Sequence, residues 1–377
     1  MIYLDNAATT QVSQEVMDAM LPYMIEDYGN AGSIHSMGRS AAKAIEKARE
    51  QVATPIKADP DNIIFTSGGS EANNLAIIGL ADYLRKTGKT HIITSVVEHS
   101  SVLEPIKYLF DNGFDVTYIP VDNSGYVSPD NIDAAIHSNT GLVSIMGVNN
   151  ETGNKMDIKS IGECCRANGV LFHTDCVQAY CNIEIDVNDF CVDFLSVSGH
   201  KIHAPKGSGF LYVRNKELLR PIILGGGQEF GLRSGTENVA SIVGLGAAAQ
   251  IAHWQMKKHR KIYCDMRKIL IRELQDKVDW HINGEPYDGS KIINICLNGV
   301  DAETVVLSLD SVGIAVSSGS ACSAHISTPS HVLKALGLKD EQARSSIRIS
   351  FSKNTTNYDI SIAARAIVDV VKVLKGE

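Results

Sequence analysis

From about residue 40 to residue 215 the chain alternates short apolar runs with stretches of helical periodicity, and no low-complexity linker interrupts them. The runs Asn62-Ile63-Ile64-Phe65, Ile92 to Val97, Leu142 to Val148, Val170 to His173 and Phe194 to Val197 read as buried strands. Helical patterns from Glu71 to about Tyr83 and from Ile158 to Asn168 lie between them. Strands alternating with helices in this way predict βαβ units, hence an α/β fold with a mainly parallel sheet covered by helices on both faces. A glycine-rich turn at 224–229 and a helical stretch from Asn238 to about Gln275 would lead out of that layer. Beyond it come the run Ile292 to Leu297, helices near Ala302–Leu309 and Ser330–Leu336, a strand Ser346–Phe351 and an amphipathic helix near Tyr358–Leu374, which together predict a smaller α+β domain. With 377 residues the chain is long enough for two domains. The expected division is a large domain over 16–251 and a small one built from 1–15 and 252–377.

Ligands in open α/β sheets bind outside the carboxyl ends of the strands, and the polar residues of this chain collect there. Thr66-Ser67-Gly68-Gly69-Ser70 follows the first strand and opens a helix, a turn whose free N–H groups and helix dipole suit a phosphate. The strand at Val170 ends in Thr174-Asp175 with Gln178 just beyond, the strand at Ile92 ends in Glu98-His99, and the strand at Leu142 leads to Asn149-Asn150. Ser198-Gly199-His200-Lys201 follows Phe194 to Val197. Burial disfavours the ammonium form of a lysine, and a neutral amine can form a Schiff base with an aldehyde. Taken singly, Lys201 reads equally as a surface lysine past a strand end and Asp175 as a helix N-cap. Taken together, a phosphate cradle, an amine, a carboxylate and an aromatic ring suit pyridoxal phosphate, whose protonated ring is an electron sink for bonds at an amino-acid α-carbon.

The ordered set of motifs resembles the cysteine desulfurases, class-V aminotransferase-like pyridoxal-phosphate enzymes of fold type I. The resemblance rests on Tyr3-Leu4-Asp5-Asn6-Ala7-Ala8-Thr9-Thr10, S-G-G-S-E-A-N-N at 67–74, E-H at 98–99, V-N-N-E at 148–151, H-T-D at 173–175 with Gln178, S-G-H-K at 198–201, R-S-G-T at 233–236 and S-S-G-S-A-C at 317–322. It implies that Lys201 anchors the cofactor, Asp175 pairs with its pyridine nitrogen, Gln178 hydrogen-bonds its phenolic oxygen, and His99 stacks on the ring and serves as an acid–base group. Gly69, Ser70, Ser198 and His200 would hold the phosphate, and Thr236 would reach the phosphate site of the other subunit of a homodimer. Asn150 would line the pocket. Arg348, in Ser346-Ile347-Arg348, would clamp the substrate carboxylate, a task suited to a planar bidentate donor; by position alone it could equally be a surface charge on an edge strand.

Cys322 selects among the reactions this cofactor supports. It stands in a run of small residues, Ser317 to Ala324, within a loop of about 317–329, a composition that predicts a mobile, exposed segment. An accessible thiol can ionise and attack where a core thiol is inert. The resemblance implies that Cys322 takes sulfur from L-cysteine as a persulfide, leaving L-alanine. It also implies that the long loop passes the sulfur directly to an acceptor such as an iron–sulfur scaffold or sulfur-relay protein. A selenocysteine lyase or an aminotransferase of the same fold is the alternative within the enzymes, and a non-catalytic sulfur carrier or partner-binding protein the alternative outside them. Cys176 stands where a small residue such as alanine is usual in the family, and Ala204 where glycine is common before Pro205.

A formal net charge of -8 gives no broad electrostatic case for nucleic acid or a membrane surface. No apolar run approaches a bilayer span, and the N-terminus lacks a basic-then-apolar signal pattern, so the expectation is a cytoplasmic protein with reduced thiols. Cys164-Cys165 and the group Cys176, Cys181 and Cys191 match no structural zinc spacing. They read as buried, reduced thiols.

Overall fold

The computed structural model describes residues 1–318 and 329–377. Cys322 and most of the loop expected at 317–329 lie outside the described residues. The strands are β1 (Ile2–Tyr3), β2 (Ile63–Thr66), β3 (His91–Ser95), β4 (Asp115–Ile119), β5 (Thr140–Ser144), β6 (Leu171–Asp175), β7 (Phe194–Ser198), β8 (Gly209–Val213), β9 (Trp280–Ile282), β10 (Ile292–Leu297), β11 (Ile314–Ala315) and β12 (Ser346–Ser350).

Seven of them form one sheet in the order β2-β8-β7-β6-β5-β3-β4. Its ladders are parallel from β4 to β7, while β8 runs antiparallel to both β2 and β7. The reversal follows from chain length. Only residues 199–208 join β7 to β8, too few for a helical crossover, so the strand can return only antiparallel. That short connection carries Lys201.

Every residue of β2, β3, β5, β7 and β8 is buried, the continuous apolar pattern of a sheet covered on both faces. Successive side chains divide between two cores. Ile64, Ile92, Leu142 and Leu211 pack with Leu75, Leu80 and Leu84 of the helix Gly69–Lys86. Phe65, Ile93, Val143 and Phe210 face the other core, which includes Val52, Ile161 and Leu245. The sheet therefore sits between helices, as the alternating sequence predicts.

A third core holds the C-terminal elements. β10 lies between β9 and β12, antiparallel to each, and Ile293, Ile347 and Phe351 pack with Ile360 and Ile367 of the helix Asn357–Lys375. Leu4 belongs to this core, β1 pairs with β11, and Asp5 bridges to Ser350, so the N-terminus is fastened to C-terminal strands. The helix Val239–Leu274 gives Leu245 and Ala249 to the sheet core and Met266 and Leu270 to the C-terminal one. Cys165, Cys176, Cys181 and Cys296 are buried, whereas Cys164, Cys191 and Cys264 are partly exposed. The expectation of buried thiols is thus corrected at Cys164 and Cys191. Adjacent residues of the helix Ile158–Ala167 face different ways, and Cys191 turns back at φ 52° on the loop before β7.

Candidate active site

A cavity of about 240 Å³ opens at the carboxyl ends of β5, β6 and β7. Gly69, Ser70, His99, Asn150, Asp175, Gln178, Ser198, His200, Lys201 and Arg348 all line it. Thr236 does not; it is exposed and away from the cavity in the same chain.

One wall is the turn after β2. Gly68 sits at φ 153°, in the region that favours glycine, and a Cβ on Gly69 would come within 2.6 Å of Val177 Cγ2. Both glycines therefore keep open the start of the helix Gly69–Lys86, whose first N–H groups have no intrahelical acceptor. Behind this turn Glu71 accepts from Ser67 N (2.8 Å) and from Arg233 Nε (3.0 Å). Arg233 is thereby committed to the cradle. His200, beside Ser198, has Nδ1 3.1 Å from Thr9 Oγ1. Burial, with Lys201, Lys206 and Lys291 nearby, holds His200 down to about 4, so its ring is neutral at pH 7.

Lys201 ends the short turn Gly199–Lys201, and its Nζ donates to the carbonyls of Ala7 (2.6 Å) and Ala8 (2.7 Å). The same N-terminal segment braces the turn through Thr10, whose N and Oγ1 both donate to His200 O at 2.9 Å. Ala7 and Ala8 belong to a stretch singled out in the sequence, but their part is played by backbone carbonyls. No side-chain pattern announces that.

Asp175, 6% exposed, is the last residue of β6. Its Oδ1 accepts from Val177 N (2.9 Å) and its Oδ2 from Asn73 Nδ2 (2.7 Å). The first bond caps a tight turn, and no regular helix begins there, so the helix N-cap alternative does not hold. Asn73 also donates to Ser101 Oγ at 2.8 Å. Ser101 in turn faces His99 Nδ1 with both its N (3.1 Å) and its Oγ (2.7 Å). Two donors directed at Nδ1 place the neutral ring's proton on Nε2. Neither Asn73, inside the quoted stretch 67–74, nor Ser101, just after His99, is given a role from the sequence.

Gln178 gives its Nε2 to Ala7 O (2.9 Å), leaving a buried Oε1 with no hydrogen-bond partner among the described residues. Next to His99 in the chain, the buried Glu98 accepts at Oε1 from Ser95 Oγ (2.6 Å) and Met146 N (3.0 Å), while Oε2 has no hydrogen-bond partner among the described residues. Burial, with Asp175 adding repulsion, lifts Glu98 to about 8, so it is a neutral acid at pH 7.

Arg348 is on β12 but only 2% exposed, which removes the reading of a surface charge. Its Nη1 donates to Asn150 O (3.0 Å) and its Nη2 to Asp5 Oδ1 (2.8 Å), and its Nε is buried with no hydrogen-bond partner among the described residues. A guanidinium has five N–H donors, so Arg348 keeps unused donors at the cavity wall.

The chain matches the aminotransferase class-V family over residues 2–362. It is 43% identical over 376 residues to the cysteine desulfurase IscS of Dictyoglomus turgidum, covering 99% of this chain and 95% of that one. It is 44% identical over 381 residues to the mitochondrial cysteine desulfurase of Arthroderma benhamiae, covering 99% of this chain and 75% of that protein. The chain belongs to the cysteine desulfurases. A solved NifS-like protein superposes with a TM-score of 0.93 at 35% identity, over 99% of this chain and 100% of that one. A solved structure described as SspA in complex with cysteine gives 0.82 at 38% identity, over 93% and 99%. The fold is accordingly that of the fold-type I pyridoxal-phosphate enzymes, and the desulfurase is a pyridoxal-phosphate enzyme. The cavity suits this group by its own chemistry: a glycine cradle that a Cβ would fill, a buried carboxylate, a buried orphan acceptor and a lysine amine on one surface.

Proposed function

We propose that this desulfurase converts L-cysteine to L-alanine, with Lys201 holding pyridoxal phosphate and Cys322 accepting the sulfur. The observation that carries this reading is the convergence of Lys201, Asp175, His99 and Arg348 on one cavity of about 240 Å³. Bound there, the cofactor supplies an electron sink for bonds broken at an amino-acid α-carbon. Lys201 anchors it covalently and Asp175, held still by Asn73 and Val177, keeps its ring nitrogen protonated. Gln178 meets its phenolic oxygen, and Gly69, Ser70, Ser198 and His200 hold its phosphate. His99 stacks on its ring and presents Nε2 as the proton-bearing atom. Nε2 can take up a proton only if Nδ1 keeps one, which requires the Ser101 hydroxyl to turn and accept. Asn150 and Arg348 receive the substrate carboxylate.

Sulfur transfer balances without an outside oxidant. The Cys322 thiolate forms a bond to the substrate sulfur as the Cβ–S bond breaks, the substrate carbon keeps that electron pair and takes a proton, and the products are alanine and a persulfide on Cys322. The sulfur then passes to an acceptor protein, of the iron–sulfur scaffold or relay kind. A homodimer fits the exposed Met24, Ile25, Ile34, Leu224 and Phe230, and Thr236, exposed in its own chain, would complete the neighbour's phosphate site. The sheet cores and the C-terminal core suit domains 16–251 and 1–15 with 252–377, except that Val332 and Leu336 pack into a sheet core. A cytoplasmic setting suits a chain whose seven described cysteines are all unbonded; no helix among the described residues is long and apolar enough to cross a membrane.

The test is product analysis with L-cysteine. The wild type should yield alanine and a persulfide on the peptide containing Cys322, and Cys322→Ser should bind L-cysteine with a change of colour but make no alanine. Full turnover by that variant would remove Cys322 from the reaction, and a keto acid in place of alanine would favour an aminotransferase.

A further inference from the structure

Lys201 also lines a second, smaller cavity of about 30 Å³, together with Ser13, Cys181, His203, His259 and Lys291. Lys291, just before β10, is 4% exposed, and its Nζ donates to the backbone carbonyl of Lys201 at 3.0 Å. An ammonium has three donors, and this carbonyl is its one acceptor among the described residues. Ser13 Oγ is buried there.

The charged side chains that line the cavity with Lys291 are the lysines Lys201 and Lys353. His203 comes from the segment after Lys201, His259 and Tyr263 from the helix Val239–Leu274, and Lys353 from the segment after β12. No carboxylate lines the cavity. Glu15, 65% exposed, lies 4.0 Å from Lys353 and leaves Lys291 uncompensated. Cys181 cannot serve as counter-charge, because burial pushes its thiol well up. Burial and the Lys201 charge bring Lys291 down to about 7, and burial, with the neighbouring lysines adding to it, holds His203 and His259 low. A buried, under-bonded ammonium without a carboxylate either loses its proton or takes up an anion.

Volume chooses the anion. One water needs roughly 10–15 Å³ of such space, so the space of about 30 Å³ fits a halide or hydrosulfide seated against Lys291. We propose that this cavity binds one small monovalent anion of chloride size, seated against the Lys291 ammonium. Because the anion favours charged Lys291, it binds tightly below the pH at which Lys291 titrates and weakens above it. If Lys201 carries the cofactor, as proposed above, occupancy also removes a positive field beside that linkage and makes its proton easier to keep.

The test has two arms. Holoenzyme crystals in sodium bromide at mildly acid pH should show anomalous scattering within hydrogen-bonding reach of Lys291 Nζ; bromide found only elsewhere overturns the site. In solution, the pH at which the holoenzyme changes colour should be higher by about half a pH unit in sodium chloride than in sodium gluconate of equal ionic strength. Gluconate is too large to enter, and Lys291→Met should lose the chloride response; if that variant does not fold, Lys291→Gln takes its place. Equal responses to both salts in the wild type, with bromide bound at Lys291, would sever the link to Lys201 while leaving the anion site standing.

Discussion

The two walls of the large cavity are built differently. The wall carrying Asp175, His99 and Lys201 rests on the ends of β6, β3 and β7 of one sheet; a short chain of hydrogen bonds, Asp175–Asn73–Ser101–His99, fixes two of its side chains, and the carbonyls of Ala7 and Ala8 hold Lys201. The wall carrying Arg348 is assembled from remote parts of the chain: β12, the N-terminal Asp5 and the backbone of Asn150. The first wall gains rigidity from the sheet. The second depends on the N-terminus staying docked to C-terminal strands, whereas the first relies on that segment only around Lys201 and Gln178, so substrate binding should be more easily disturbed from a distance than the cofactor contacts of Asp175 and His99.

The largest expected effect lies on the sheet wall. Asp175→Asn keeps the shape and the bond from Val177 N but removes the charge and one acceptor, leaving its amide nitrogen facing Asn73 Nδ2, so alanine formation should fall at least ~100-fold while the cofactor is still retained in part. Near wild-type turnover with a normal absorption spectrum would sink that assignment.

A smaller, more selective loss is expected on the other wall. Arg348→Lys keeps the charge but not the fork, so L-cysteine should bind about tenfold more weakly. Cysteamine, which lacks the carboxylate, should bind variant and wild type alike. Equal weakening of both ligands would make Arg348 a support for the docked N-terminus and not a substrate clamp. Arg233 is a poor substitute, since Glu71 already holds it.

The mildest effect concerns Glu98, next to His99 in the chain. Its folded value of about 8 lies above its ordinary 4.5, so the folded protein holds a proton that the unfolded chain releases. The stability from this group is complete below 4.5 and declines as the pH rises through 8. Between pH 7 and pH 9 the wild type should therefore lose about 1.4 kcal/mol more than Glu98→Gln, read as a steeper fall in thermal midpoint. Parallel falls would show that Glu98 is already charged at pH 7.

The same contrast governs how far the sequence could be read. Motifs at strand ends, such as Gly68-Gly69, His99, Asp175 and Lys201, are legible because strand periodicity alone brings such ends together. Several later elements also follow from local pattern, with β10 at Ile292–Leu297 as expected, whereas β8, the short strands β9 and β11 and the helix Asp340–Arg344 are not read from the sequence. Contacts across hundreds of residues are not legible. Nothing near Arg348 reveals that Asp5 buries it, and nothing near Lys201 reveals that the carbonyls of Ala7 and Ala8 receive its amine. The neutral state of Glu98 is equally hidden, because it comes from burial and not from its neighbours in sequence.

Lys201 has a rival within the protein, since Lys291 is the more deeply buried lysine and bonds to the Lys201 carbonyl. Borohydride reduction of the yellow holoenzyme, followed by peptide mass mapping, separates the two. Cofactor fixed on the peptide containing Lys201 is the predicted result; cofactor fixed on the peptide containing Lys291, or a colourless protein that takes up no pyridoxal phosphate, would contradict the account.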